Sequence, residues 1–150
     1  METKRTIHYV TKILVDLMFY GGLVALVALP FVLPMLLRWI GTSMQFRVAY
    51  TLILLSAGTC AIYIVYQLKR MFKTLLCGNP FVMENVSCLR KCAVASALIA
   101  TIFAVRIVLW FTIASGIMVI VFALLSLFSI AIKDLFKQAV SYKEETDWTV

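Results

Sequence analysis

The chain has 150 residues, of which 63% are hydrophobic and 14% charged, with a formal net charge of +7 and a mean hydropathy of +1.01. An average soluble domain is about 45–50% apolar and about 25% charged, so a chain this small lacks the polar groups to cover a soluble surface. Low charge, with only 6 glycines, 3 prolines and 4 cysteines, also excludes intrinsic disorder, a collagen-like repeat and a disulfide scaffold, which leaves an integral membrane protein.

A helix crossing about 30 Å of hydrocarbon needs about 20 apolar residues. Between Asp16 and Arg38 the sequence has 21 residues without a charge, and another 21 lie between Arg47 and Lys69. From Cys92 to Ile132 it runs 41 residues with the single charge Arg106. One helix of that length would be about 61 Å long, so the chain must fold back, and Thr112 to Gly116 is the best place to turn. The expectation is one all-α membrane domain over residues 1–150, a four-helix bundle with spans at about 15–38, 48–68, 92–110 and 114–133. Residues 69–91 form an elbow between the second and third spans, and 134–150 a tail.

With four spans, both termini and the elbow share one side, which carries 11 of the 14 basic residues. The positive-inside rule predicts that this side is cytoplasmic. Trp39, Tyr50 and Trp110 then fall at the outer interface, and Tyr9 and Tyr66 at the inner one, as an aromatic belt. The basic residues cluster at the membrane borders, where they meet anionic headgroups, so direct nucleic-acid binding is not expected. Lys4, Arg5 and Lys12 precede the first span as in a signal peptide, but its apolar core is too long and no small-x-small cleavage site follows Ile40.

Along the first span, Asp16 lies four residues after Lys12, a spacing that offers a local ion pair. Gly21 with Ala25 makes a short small-residue stripe, and Pro30 and Pro34 predict a kink, a hinge or a small outward-facing cavity. After the second span Leu68, Phe72, Leu75 and Leu76 take one helix face and Lys69, Arg70 and Lys73 the other, so the helix continues to the membrane surface. Gly78 supplies a stop, Asn79 an N-cap and Pro80 the first residue of an amphipathic elbow helix striped by Val82, Val86 and Leu89, with Glu84 in its first turn. Two readings fit the elbow: a connector lying on the inner leaflet, or one that also presents a docking surface through Asn79, Glu84, Asn85 and Arg90.

In the third span Arg106 is the one basic residue at membrane depth, and two readings fit it as well. It can snorkel outward, or be buried against a polar group of the bundle or an incoming anion. Ser96, Ala100 and Ala104 make a stripe for bundle packing, with homodimerisation the alternative. Cys88 and Cys92 share a helix face, but the sole His8 is at a different membrane border, so no metal site, cofactor or redox centre is expected. No Walker loop, Ser-His-Asp set or HExxH occurs, and no catalytic residue is assigned.

The fourth helix leaves the membrane through Leu135, Phe136, Ala139 and Val140. The last residues then alternate Asp147, Trp148, Thr149, Val150 with period two, which predicts an extended segment packed on the elbow or added to a partner.

The run Gly78-Asn79-Pro80-Phe81-Val82-Met83-Glu84-Asn85-Val86, followed by Leu89-Arg90, resembles the GNPF-x-x-EN-x-x-x-LR signature of the YoaS-like family of small bacterial four-span membrane proteins, domain of unknown function 2975. The ending Lys143-Glu144-Glu145-Thr146-Asp147-Trp148-Thr149-Val150 is similar to that family's terminal pattern, with Thr146 in place of Asn and Trp148 in place of Leu. The resemblance implies a bacterial plasma-membrane protein whose genes neighbour those of small Cro-type helix-turn-helix regulators, and no established activity. The expected function is therefore interaction or regulation through the elbow and tail, holding a soluble partner such as a Cro-type regulator. The alternative is a small-molecule transporter, channel subunit or membrane sensor working through Arg106 and the first span bent at Pro30 and Pro34. An enzyme is not expected, because the helix Arg and Glu pattern of four-span membrane glutathione transferases is absent.

Overall fold

The computed structural model describes the backbone of residues 2–76, 78 and 81–149, and the side chains from Tyr9 onward within those ranges. Four helices follow one another: α1 (Glu2–Trp39), α2 (Met44–Leu76), α3 (Met83–Leu109) and α4 (Ile113–Trp148). Each is long and apolar enough to cross a membrane. At 38, 33, 27 and 36 residues they run about 57, 50, 41 and 54 Å, well beyond about 30 Å of hydrocarbon. The two short hairpins, 40–43 and 110–112, lie at one end, here called the hairpin end. The first residues of α1, the last of α4, and the α2 and α3 ends at Leu76 and Met83 lie at the other, the terminal end.

Each connection has its own local cause. Gly41 sits at φ +76°, and its N–H bonds to the Arg38 carbonyl while that of Thr42 bonds to Leu37, the paired bonds of a Schellman cap. Gly78 plays the same left-handed role after α2 at φ +80°, donating to Leu75. The third turn has no glycine. Trp110 and Thr112 are extended there, and the Thr112 carbonyl receives the N–H groups of Ser115 and Gly116, so the turn lies at 110–112 and both of those residues belong to α4.

Two sequence expectations about the terminal end are corrected. α3 starts at Met83 with extended Val82 as its N-cap, rather than at an Asn79 cap with Pro80 as first residue. Phe81 lies outside the helix, its ring against that of Phe136 of α4 at 5.5 Å between centroids. α2 and α3 themselves supply most of the 69–91 segment, with no separate elbow helix among the described residues. Asn79, Pro80 and Val150 lie outside the described residues. The tail is helical through Trp148 rather than extended. Lys143, Glu144 and Glu145 are good helix formers, and the Thr146 and Thr149 hydroxyls bond back to the Tyr142 and Glu145 carbonyls, so the segment meets its own hydrogen bonds without a sheet partner.

The packing is sequential. α1 packs on α2, α2 on α3 and α3 on α4; among the described residues α1 does not approach α3 or α4. α3 is therefore the centre, and its buried side chains include Asn85, Leu89, Cys92, Ser96, Ile99, Phe103 and Arg106. Their steps of four and three residues make the seam of a left-handed helix pair. Ile99 and Phe103 meet Ala57 of α2 in the core, with Val119 and Phe122 of α4 packed against them. Small side chains let α4 come close enough for the Ser126 hydroxyl to bond to the Ala93 carbonyl of α3 at 2.9 Å. On the other side of the molecule α1 meets α2 at Gly58, where an added Cβ would lie 2.7 Å from Leu26. Gly21 has open space around it and Ala25 is exposed, so the stripe expected from those two faces away from the packing.

Candidate functional site

Polar side chains gather at the two ends of α3, and a surface lies apart from both on α4. At the hairpin end Arg106 stands in the last turn of α3, where the partial negative charge of the helix C-terminus favours a cation. It is only 4% exposed, which settles the choice between snorkelling and burial in favour of burial. Its guanidinium donates to the Tyr50 hydroxyl of α2 and to the Ser115 hydroxyl of α4, and stacks over the Tyr50 ring at 4.2 Å from the centroid. Three helices are thus tied through one cation. Its hydrogen-bond acceptors there are neutral hydroxyls, and its Nε is buried without a partner. Phe46 and Trp110 close over the same end, 4.4 Å between ring centroids.

At the terminal end the signature residues form a clasp between α2 and α3. Arg70 pairs with Glu84 at 2.5 Å, and the Thr74 hydroxyl donates to the Oδ1 of Asn85 at 2.7 Å. Asn85 is wholly buried at the top of the seam, and Leu89 is buried one turn further on. Glu84 and Asn85 are therefore engaged within the chain, and Phe81 is engaged with Phe136. Arg90 is exposed beside Lys91 along the α2–α3 groove, and Glu84, although paired with Arg70, is exposed as well. Asp16 does not pair with Lys12 as its spacing suggested. It pairs with Lys69 of α2 at 2.8 Å, because Lys69 is also drawn over the rings of Phe19 and Tyr20 at 5.2 and 5.1 Å.

The tip of α4 is different in kind. From Ser141 to Thr149 every residue is exposed, and Trp148 is 89% exposed. Glu144, Glu145 and Asp147 against the single Lys143 make this tip acidic in a chain of net charge +7. Cys88 and Cys92 are buried on the α3 seam, and no group of three or more metal-ligating side chains occurs among the described residues. Sequence reasoning missed Tyr50, Ser115, Thr74 and Arg70. Tyr50 reads as an ordinary interfacial aromatic and Ser115 as part of a turn; only the knowledge that α2 and α4 flank Arg106 reveals them as acceptors.

Four apolar helices around a polar seam define a small multi-pass membrane protein. The chain belongs to the family described as "Protein of unknown function (DUF2975)", whose model matches residues 37–150. That stretch contains α2, α3 and α4 entire, with only the last turn of α1. No curated protein and no solved structure matches the chain.

Proposed function

We infer that the protein is a membrane-anchored interaction protein, regulatory in role, that holds a soluble basic partner at the acidic tip of α4 and performs no chemistry of its own. The observation that carries this reading is the exposed Trp148 on a helical tip beside Glu144, Glu145 and Asp147. A large aromatic flanked by charge is the composition of an interface anchor, and its acidic neighbours are repelled by anionic headgroups, so the tip stands off the membrane. Eleven of the fourteen basic residues lie at the same end, which supports a bacterial plasma-membrane protein with cytoplasmic termini. A partner there must be basic. Small helix-turn-helix regulators, the gene neighbours that the sequence resemblance implies, carry a basic DNA-binding face of that kind.

The test uses membrane vesicles bearing the full chain and the purified Cro-type regulator encoded beside it. Co-sedimentation of the regulator is expected, with loss in Trp148→Ala and in the charge reversal Glu144→Lys/Glu145→Lys, and competition by the regulator's operator DNA. Equal sedimentation with the reversed tip, or none with the native chain, overturns the reading. The alternative, a transporter, channel subunit or sensor, draws its support from buried Arg106. It predicts that Arg106→Gln alters uptake or response, whereas docking at the tip is indifferent to that change.

A further inference from the structure

The seven acidic residues are Glu2, Asp16, Glu84, Asp134, Glu144, Glu145 and Asp147, and by chain position every one belongs to the terminal half of the helices. The hairpin end holds Arg38, Arg47 and Arg106 without a carboxylate of its own. On α1 the step from Asp16 to Arg38 is 22 residues, about 33 Å of helix, and α2 contains no acidic residue at all. Arg106 is sealed among hydroxyls, whereas Arg38 and Arg47 both line a cleft of about 600 Å³ between α1 and α2. The Schellman cap after Arg38 and the bond from the Arg47 N–H to the Ser43 carbonyl fix the two across a short hairpin. Arg47 has a buried Nε with no partner, and among the described residues its one side-chain hydrogen bond is a weak one, to the Met44 sulfur at 3.5 Å.

The rest of the cleft is mostly apolar, with Pro34 and Met35 on α1 and Val48 and Leu52 on α2; the one other polar side chain lining it, Thr51, spends its hydroxyl on the Arg47 carbonyl at 2.7 Å. Pro34 and Leu52 lie four and five residues from the arginines of their own helices, about 6–8 Å deeper along them. Two cations at the rim over an apolar body match a molecule with an anionic head and a hydrocarbon tail. A free oxyanion would satisfy the rim and leave the apolar half unfilled; a neutral lipid would do the reverse. Guanidinium groups suit phosphate because they offer paired donors in a fixed fork.

We propose that the Arg38–Arg47 cleft is a binding site for an anionic phospholipid of the leaflet at the hairpin end, with its phosphate between the two guanidinium groups and its acyl chain against Pro34, Val48 and Leu52. The site is independent of the α4 tip, so either can fail without the other. The test reconstitutes the full chain into phosphatidylcholine nanodiscs doped with phosphatidylglycerol or phosphatidylcholine carrying a photoreactive acyl chain, and maps adducts by mass spectrometry. Adducts on residues 34–52 are expected from the phosphatidylglycerol probe in about thirtyfold excess over the phosphatidylcholine probe, as two basic residues near a membrane surface would give. That excess is expected to vanish in Arg38→Gln/Arg47→Gln, while adducts near Lys133 and Lys137 persist. Leu52→Trp, which keeps both arginines and fills the cleft, is expected to lower the same adducts with helical content unchanged. Equal labelling by the two probes, or labelling unchanged in the double variant, overturns the proposal. Suppression of the adduct by inorganic phosphate present before irradiation, with no dependence on the Leu52 change, overturns the lipid and leaves a soluble oxyanion as the ligand.

Discussion

α3 and α1 are both apolar helices long enough to span a membrane, yet 39% of the apolar window of α3 is buried in the protein and none of that of α1. The difference does not follow hydrophobicity, since their mean hydropathies are 2.3 and 2.1. It follows the polar and small side chains. α3 places Asn85, Ser96 and Arg106 on one seam, while Gly21 and Ala25 of α1 face open surroundings. In lipid, burying an apolar side chain gains little because the bilayer is as apolar as the neighbouring helix, so close approach and internal hydrogen bonds decide which helices pack. The family match follows the same division, since it begins at residue 37 and leaves almost all of α1 outside.

The largest effect should come from blocking the seam. Ser96 is wholly buried and donates its hydroxyl to the Cys92 carbonyl, so Ser96→Leu forces a branched side chain between α3 and its neighbours. A loss of about 3 kcal/mol is expected, the upper end of ordinary overpacking, against almost none for Ala25→Leu on α1. Unfolding by sodium dodecyl sulfate in mixed micelles, followed by circular dichroism, measures both. Equal losses would mean that α1 is packed as tightly as α3, and the contrast between the two helices would collapse.

Next in size is the Arg106 cluster, where the sign of a double change is the informative quantity. Tyr50→Phe removes an acceptor from a buried cation whose hydrogen bonds go only to neutral hydroxyls and should cost about 2 kcal/mol. Arg106→Met removes the charge itself and should cost less, because the desolvation of the cation disappears with it. Adding Tyr50→Phe to Arg106→Met should then cost almost nothing. A full second loss in the double variant would show that Tyr50 holds the bundle by its own packing and not through Arg106.

Much of this architecture is legible in the sequence, because charges are few and each marks a boundary: Asp16, Arg38, Arg47 and Lys69 bracket the first two spans, and the helices follow. Which face of each helix is buried is not legible. α3 is apolar nearly all round, so periodicity has no polar face to detect, and its seam emerges only once two neighbours are in place. Asp16 illustrates the same limit. The i to i+4 partner Lys12 is visible in the sequence, whereas Lys69, 53 residues later, becomes available only when α1 and α2 fold antiparallel. The tail misled through its alternation: four residues of period two are too few to outweigh a helix already propagating from α4, where each added residue gains a bond without a new nucleus.

The clasp between α2 and α3 should contribute less than the Arg106 cluster. A double-mutant cycle of Thr74→Val and Asn85→Ala should give a coupling of about 1 kcal/mol, as a neutral hydrogen bond does. The more exposed Arg70–Glu84 pair, screened by solvent, should give a smaller coupling. A coupling near zero for Thr74 and Asn85 would move the weight of the signature from the clasp to its unpaired surface, including Arg90.

The smallest effect is expected where α1 joins α2. Lys69 and Asp16 are each about one-third exposed, at 36% and 33%, so solvent screens their pair and leaves it a small contribution, with the Phe19 and Tyr20 rings adding a similarly small one. Lys69→Met should lower stability by that small amount at 0.05 M salt. Asp16→Asn should lower it less, because the cation keeps its rings. Raising the salt to 1 M shortens the screening length to about 3 Å, so the Asp16 effect should fade while the ring contribution, made at close range, largely remains. If Lys69→Met instead costs as much as Tyr50→Phe, α1 is held by a polar lock of the same rank as the α3 seam. The family-matched three helices would then need their peripheral fourth to stand, and the division drawn between α1 and α3 would be one of position only.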